Sequence, residues 1–135
     1  MLYQYYPTVP HGYKFELNKD IVLASAHKNP HESAGKSREM HGHTFVANIT
    51  IVGNELAESG FLVNFGTINE IIYEKFDHSV FNEHPEFEST YPTSEGLAKV
   101  FFEMIQKELE SLPNRPKCLQ VLLRENPTSY VVYRG

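Results

Sequence analysis

Alternating apolar and polar residues predict two strands in the first half of the chain. The segment Phe15–His27 ends in "DIVLASAH", which is rich in apolar and β-prone residues and favours one member of a strand pair. The segment His41–Gly53 alternates, and side chains along a strand point to opposite faces in turn. Every second residue from His41 to Ile51 is therefore expected on one face. Residues 28–40 between the two segments are polar, contain Pro and Gly, and predict a loop.

The apolar period lengthens after a turn predicted at "GNELAESG". Four apolar residues at helical spacing predict a first helix, in which Thr67 and Glu70 form a capping box. These apolar residues are Ile68, Ile71, Ile72 and Phe76. The first helix is thus predicted to begin near Thr67.

A second helix is predicted from "PTSEG" onward, with Thr93 or Ser94 as its N-cap. Its apolar stripe consists of Leu97, Val100, Phe101, Met104, Ile105 and Leu109, and "LPNRPK" ends it. The tail "CLQVLLRENPTSYVVY" predicts two short strands around an Asn-Pro turn. The order strand, strand, helix, helix, strand, strand predicts a single α+β domain over residues 1–135. Its sheet is expected to be antiparallel, with both helices on one face.

Composition narrows the classes of function. The net charge of −5 and the isoelectric point near 5.8 argue against a nucleic-acid partner, because phosphate binding needs a basic face. No apolar run approaches the roughly 20 residues that cross a membrane, and the first residues lack the basic-then-apolar pattern of a signal peptide. The one cysteine, Cys118, cannot form an internal disulfide. We therefore expect a cytoplasmic protein without a membrane or nucleic-acid partner.

Three histidines predict a metal site. His41 and His43 lie two residues apart on a strand, so their side chains point the same way. His27 ends the strand that is expected to pair with the one beginning at His41. Three neutral imidazoles with an open fourth position are typical of a catalytic zinc, whereas the alternative is solvated or core histidines. His31 is a further candidate, but its polar loop favours a solvated side chain.

Acidic residues supply the other candidate chemistry. Asp77 precedes His78, and an aspartate can orient a histidine and raise its basicity, although neighbours on a regular element face different ways. Glu125 closes an apolar strand, and a carboxylate can hold an N–C–N edge with two hydrogen bonds. Glu95 lies in the first turn of the second helix, where an acid can also simply complement the helix dipole. Solvent-exposed acids remain the alternative for each of these positions.

Six segments, taken in order, resemble one known family. They are "ASAHKNP", "HGHTF", "GFLVNF", "FDHSVFNEH", "YPTSEGLAKVF" and "RENPTSYVVY". The chain resembles the 6-pyruvoyl-tetrahydropterin synthase family, and within it the bacterial 6-carboxy-tetrahydropterin synthases of queuosine biosynthesis. The resemblance spans roughly residues 13–134, and six motifs in register make it highly specific.

The resemblance implies the tunnelling fold, with a four-stranded antiparallel sheet and two helices in each subunit. It also implies that three subunits close a barrel, that two trimers stack into a homohexamer, and that active sites lie at subunit interfaces. The residues it implies for Zn²⁺ are His27, His41 and His43; for catalysis, Asp77 and His78; for the pterin substrate, Thr93, Ser94, Glu95 and Glu125. The acid at Glu125 would hold the guanidine-like edge of the pterin.

One position departs from the family pattern. The carboxy-tetrahydropterin synthases carry a catalytic cysteine four residues before the first histidine of H-G-H, and here that residue is Ser37. A serine hydroxyl ionises far less readily than a thiol and needs a base of its own. Either Ser37 replaces the cysteine of an otherwise ordinary enzyme, or Glu39 acts as the base. If residues 37–43 are extended, Ser37 and Glu39 project to the same side as the histidines.

The resemblance implies a lyase reaction on 7,8-dihydroneopterin triphosphate. The queuosine-type product is 6-carboxy-tetrahydropterin, formed with acetaldehyde and triphosphate. A glutamate-based variant would instead make 6-hydroxymethyl-dihydropterin for folate synthesis. Three other functions remain open: a non-catalytic pterin-binding protein, a three-histidine zinc hydrolase and a purely structural assembly.

Overall fold

A four-stranded antiparallel sheet forms the centre of the molecule, in the order β1-β2-β3-β4. The computed structural model describes residue 7 and residues 9–135. The strands are β1 (Phe15–His27), β2 (His41–Gly53), β3 (Lys117–Asn126) and β4 (Ser129–Tyr133), and the α-helices are α1 (Phe65–Phe76) and α2 (Ser94–Leu109). Three short 3-10 segments lie at Glu32–Arg38, Phe81–Glu83 and Pro85–Phe87. The α+β class and the order ββααββ predicted from the sequence are confirmed.

The core lies between the sheet and the two helices. Helix α1 packs against β1, and helix α2 packs against β3 and β4. The face of β2 that the alternation predicted is buried, since Phe45, Ala47, Ile49 and Ile51 are all inaccessible to solvent. Burying one such large apolar side chain contributes roughly 1.5–3 kcal/mol to folding. The apolar face of the sheet therefore fixes which side carries the helices.

Helix α1 begins earlier than the sequence pattern predicted. Its N-cap is Asn64, whose side-chain oxygen accepts a hydrogen bond from the backbone N–H of Gly66 at 2.8 Å. The predicted capping box at Thr67 and Glu70 is therefore wrong, because asparagine caps helices at least as well as threonine and comes first. The apolar period gave no sign of this, since Phe65 in the added turn is half-exposed.

The second helix and the tail follow the prediction more closely. Thr93 is the N-cap of α2, and its hydroxyl accepts a hydrogen bond from the N–H of Gly96 at 3.0 Å. Strand β3 is ten residues long and so is not a short strand, whereas β4 has five residues. A register irregularity between Arg124 and Asn126 places one extra residue, Glu125, on the β3 side of this hairpin. Such β-bulges re-aim the side chain of the bulged residue.

The register between β1 and β2 brings the ends of these strands together. His27 lies directly opposite His41, and Ser25 lies opposite His43. The loop of residues 28–40 therefore starts and finishes at one point of the sheet. A hydrogen bond of 2.7 Å from the N–H of Asn29 to the carbonyl of Ser37 closes that loop across its base.

The segment after α1 lies along the outer edge of β1. The N–H of His78 donates to the carbonyl of Ala24 at 2.7 Å, and the N–H of Ala26 donates to the carbonyl of Ser79 at 2.9 Å. These bonds fix residues 77–79 beside the strand that ends in His27. Across the described residues, none of the helices has the length and apolar character to cross a membrane.

Candidate metal and substrate site

Three histidine side chains and one carboxylate converge at the end of the β1–β2 pair. His27 and His41 face each other across the two strands, and His43 follows His41 on the same face of β2. The bulge in β3 brings Glu125 to the same place. One ligand atom from each of the four side chains lies within 4.8 Å of all the others. The structure therefore groups all three histidines that the sequence assigned to a metal.

Hydrogen bonds on the far side of two imidazole rings select their tautomer. The Nδ1 atom of His27 lies 2.5 Å from the carbonyl oxygen of Pro92, and Nδ1 of His41 lies 2.8 Å from the carbonyl oxygen of Glu39. A carbonyl can only accept, so each Nδ1 carries the proton and each Nε2 keeps a free lone pair. Such outer partners orient the histidine ligands of metal sites.

The surroundings of the Nε2 atom of His27 indicate that the cluster can bind a cation. This atom is inaccessible to solvent and has no hydrogen-bond partner among the described residues. Burial also lowers the pKa of His27, which favours the neutral imidazole that binds metals. A buried acceptor without a partner costs free energy in the absence of a ligand. Three neutral imidazoles and a carboxylate therefore fit a zinc ion in both charge and donor type.

A cleft of about 260 Å³ opens beside this cluster. The N-terminus of α2 forms one wall, where Thr93, Ser94 and Glu95 line the cleft. The hydroxyl of Ser94 donates a hydrogen bond of 3.1 Å to Oε2 of Glu125. The four residues that the sequence assigned to substrate binding are thus brought together around one cavity.

The loop between β1 and β2 carries both candidate bases to the histidines. Ser37 lines the same cleft as His27 and His41. Ser37 and Glu39 together line an adjoining cavity of about 450 Å³, whose wall also includes His43. Both residues therefore remain candidates for proton transfer.

Asp77 and His78 form a hydrogen-bonded pair, although sequence neighbours usually diverge. Oδ2 of Asp77 lies 2.6 Å from Nδ1 of His78, while Oδ1 accepts the N–H of Ala24 at 2.9 Å. The contact is possible because His78 has a φ of 55°, in the left-handed region that few non-glycine residues adopt. The hydrogen bond from Ala24 is the main cause of a lowered pKa at Asp77, so this carboxylate is ionised at neutral pH.

This pair lies outside the cleft that Ser37 lines. His78 is largely exposed and faces a shallow depression of about 700 Å³ whose wall also includes His43 and Gly42. A single chain therefore brings the pair to one side of the histidine cluster and the pterin-site candidates to the other.

Two further positions complete the comparison with the sequence. Glu125 was expected at the substrate, and its inclusion among the metal-ligand atoms was not predicted. Its carboxylate reaches the histidines only through the pairing of β3 with β2, which no local motif encodes. His31 is exposed and bonded to Ser33, so it does not belong to the cluster, as the polar loop indicated.

Comparisons with known proteins find relatives of this chain. A family model described as 6-pyruvoyl tetrahydropterin synthase matches residues 16–135. The chain is 46% identical to 6-carboxy-5,6,7,8-tetrahydropterin synthase from Bacillus subtilis, over 99% of this chain and 94% of the relative. It is 28% identical to 6-pyruvoyl tetrahydrobiopterin synthase from Dictyostelium discoideum, over 75% of each chain.

Solved structures share the fold at lower identity. The 6-pyruvoyl tetrahydropterin synthase of Caenorhabditis elegans superposes with a TM-score of 0.72 at 22% identity, over 90% of this chain and 95% of that one. A Plasmodium vivax 6-pyruvoyltetrahydropterin synthase, in which a catalytic glutamate is mutated to alanine, superposes with a TM-score of 0.64 at 15% identity. That comparison covers 90% of this chain and 97% of the other.

Proposed function

Because this chain belongs to the 6-pyruvoyl tetrahydropterin synthase family, we propose that it is a zinc-dependent 6-carboxy-tetrahydropterin synthase. It would convert 7,8-dihydroneopterin triphosphate and one water to 6-carboxy-5,6,7,8-tetrahydropterin, acetaldehyde and triphosphate in queuosine biosynthesis, in the cytoplasm. The observation that carries the proposal is the cluster of three histidines and Glu125 beside the cleft at the start of α2. The name of the Bacillus subtilis relative supports the choice of product.

The residues of the cluster fit two tasks. His27, His41 and His43 would hold Zn²⁺ through Nε2, and bound zinc supplies Lewis-acid polarisation of substrate hydroxyl groups. Glu125 would accept two hydrogen bonds from the N–C–N edge of the pterin, with its carboxylate oriented by Ser94. Together these contacts would hold the side chain of the substrate over the histidines.

Proton transfer falls to residues on both sides of the cluster. Ser37 or Glu39 would take or relay one proton from the cleft side. On the other side, Asp77 fixes the proton of His78 on Nδ1, which leaves Nε2 to exchange protons with the substrate. Asp77 itself stays ionised, since the N–H of Ala24 lowers its pKa.

The split between the two sides supports an assembled active site. We propose a homohexamer, a dimer of trimers, in which subunit interfaces complete each site. His78 lines a different cavity from the one lined by Ser37. In the described part of the chain, β1 and β4 are the outer strands of the sheet, and residues 78–80 cover the edge of β1 only at Ala24 and Ala26. The edge of β4 and the first part of β1 can therefore pair with a neighbouring subunit.

A second candidate function rests on Glu39. Ser37 occupies the position where the resemblance implies a cysteine, while Glu39 lines a cavity with His41 and His43. A Plasmodium vivax relative of the same fold uses a glutamate as a catalytic residue. With Glu39 as the base, the product would be 6-hydroxymethyl-7,8-dihydropterin.

A product assay separates these functions. The zinc-loaded protein is incubated with 7,8-dihydroneopterin triphosphate, and the products are identified by mass for wild type, Ser37→Cys and Glu39→Ala. Carboxy-tetrahydropterin that forms much faster in the cysteine variant supports a synthase slowed by its serine. Hydroxymethyl-dihydropterin that is lost in Glu39→Ala supports the glutamate-based enzyme. Pterin binding without any product in all three proteins would instead identify a non-catalytic relative.

A further inference from the structure

The carboxylate of Glu125 lies where a fourth metal ligand would lie. Its Oε1 atom is 3.1 Å from Nε2 of His43 and 3.3 Å from Nε2 of His27. Ligand atoms about 2.0–2.1 Å from a tetrahedral zinc are separated from one another by about 3.3 Å. The spacing in the structure is therefore that of ligands around one ion.

The two oxygens of this carboxylate have different partners. Oε1 faces the histidines, whereas Oε2 accepts the hydroxyl of Ser94 on the wall of the cleft. The residue sits in the bulge of β3, and its side chain is about one quarter exposed. Glu125 therefore lies between the metal-binding atoms and the pterin-binding wall.

One carboxylate cannot serve both neighbours at once. Holding the N–C–N edge of a pterin engages both oxygens in a plane with the ring. Oε1 must then turn away from the histidines toward the cleft. The rotation would free one position beside the three imidazoles at the moment when the pterin ring is fixed.

We propose that Glu125 is the fourth metal ligand in the substrate-free protein and leaves the metal when a pterin binds. This inference rests on the metal and pterin site of the proposed function. The carboxylate would occupy the fourth position at the metal until the pterin ring has bound. Loss of one negative ligand also strengthens the pull of a divalent cation on an incoming hydroxyl. Binding of the pterin ring would thus activate the metal centre that acts on the side chain of the same substrate.

Co²⁺ in place of zinc allows the departure of Glu125 from the metal to be measured without catalysis. Co²⁺ is added to the metal-free full-length protein, and its visible absorption, which depends on ligand number and type, is recorded for wild type, Glu125→Gln and Glu125→Ala. Metal affinity is measured by competition with a coloured chelator. Glu95→Gln is the matched control, because Glu95 lines the same cleft but is not one of the grouped ligand residues. Unsubstituted pterin, which has no side-chain hydroxyls, is the probe for ring binding.

We expect both Glu125 variants to bind Co²⁺ at least tenfold more weakly than wild type, with a changed absorption spectrum. Glu95→Gln should match wild type in both measurements. Saturating pterin should shift the wild-type spectrum toward that of the variants and leave the variant spectra unchanged. Circular dichroism confirms that each variant is folded.

Two results would overturn the inference. One is an equal Co²⁺ affinity and spectrum in wild type and both Glu125 variants. The other is a wild-type spectrum that pterin leaves unchanged at saturation, as checked by pterin fluorescence. Either result can coexist with product formation by the zinc-loaded enzyme, so the proposed function would stand. A wild-type protein that binds no Co²⁺ and forms no product contradicts both proposals.

Discussion

Replacing Gly96 by alanine tests how the N-terminus of α2 supports the histidine cluster. A Cβ atom at this position would lie 2.0 Å from the carbonyl oxygen of Tyr91 and 3.2 Å from a side-chain methyl group of Thr90. Contacts of Cβ below 3.0 Å are essentially never observed. The backbone before α2 must therefore move by at least about 1 Å, because the blocking atom belongs to the main chain.

The displaced segment includes the partner of His27. The carbonyl of Pro92, next to Tyr91, holds Nδ1 of His27 at 2.5 Å. Overpacking against backbone costs about 3 kcal/mol, the upper end of the usual range, which corresponds to a thermal midpoint lowered by roughly 10 °C. Loss of an outer partner of a metal-bound histidine lowers metal affinity by about 10- to 100-fold. Gly96→Ala should therefore weaken both folding and metal binding.

The assay compares two glycines at equivalent places. Gly66 lies in the first turn of α1 and, like Gly96, donates its N–H to the side chain of the N-cap residue. A Cβ at Gly66 would meet only the side-chain oxygen of Asn64, at 3.2 Å. Gly66→Ala should change the free energy of unfolding by less than about 1 kcal/mol, since alanine also favours the helix. Both variants are measured by thermal unfolding and by Zn²⁺ competition.

The reasoning would be refuted if Gly96→Ala unfolded at the same temperature as Gly66→Ala and bound Zn²⁺ as tightly as wild type. A loss of stability with unchanged metal affinity would refute only the link through Pro92. In that case His27 would be held in place by its own strand alone.

Three further predictions concern groups away from the cleft. Burial raises the pKa of the Cys118 thiol to about 12 from an ordinary 9.0, so native protein should not react with a thiol reagent at pH 8 and should react fully once unfolded. The thiol loses its proton at a lower pH in the unfolded chain than in the native protein. The free energy of unfolding should therefore fall by about 4 kcal/mol, for three pKa units, as the pH rises from 9 to 12. Denaturant titrations across that pH range measure this fall. His78→Gly and His78→Ala both lose the hydrogen bond to Asp77 and should both lose turnover, but the glycine variant should unfold at the higher temperature, since glycine adopts the positive φ at a saving of about 1 kcal/mol. An equal or lower unfolding temperature for the glycine variant would contradict this. Asn114→Ala removes two hydrogen bonds from the buried amide to the carbonyls of Glu55 and Leu62, so unfolding should become easier by about 1–3 kcal/mol, and an unchanged denaturation midpoint would count against it.

Periodicity predicted those parts of the fold that depend on burial. The alternation along β2 and the stripe along α2 reappear as buried faces because both elements pack on one core. The start of α1 escaped prediction because its first turn is exposed, so the capping of Asn64 left no trace in the apolar pattern. The apolar pattern therefore located the strands and helices but missed the start of α1, which the side chain of Asn64 determines.

The candidate site, too, could be predicted from the sequence only in part. His41 and His43 could be assigned from their spacing, and His27 could be added because adjacent strands pair. Glu125 reaches them through the pairing of β3 with the distant strand β2 and through a bulge in the β3–β4 hairpin. The hydrogen bond between Asp77 and His78 forms at a residue with a positive φ. Both features are set by tertiary structure, so the sequence alone could name these residues without placing them.

The loop of residues 28–40 has a consequence for how this scaffold can change in evolution. Its two ends are paired at His27 and His41, while both candidate bases, Ser37 and Glu39, lie within it. Lengthening a loop whose ends are fixed costs little, about 0.6 kcal/mol for a doubling of its length. Insertions and substitutions there can exchange the proton-transfer group without moving the ligands on the sheet. Descendants of one ancestral gene can thus diverge in their chemistry while the strands that carry the three histidines and Glu125 stay the same.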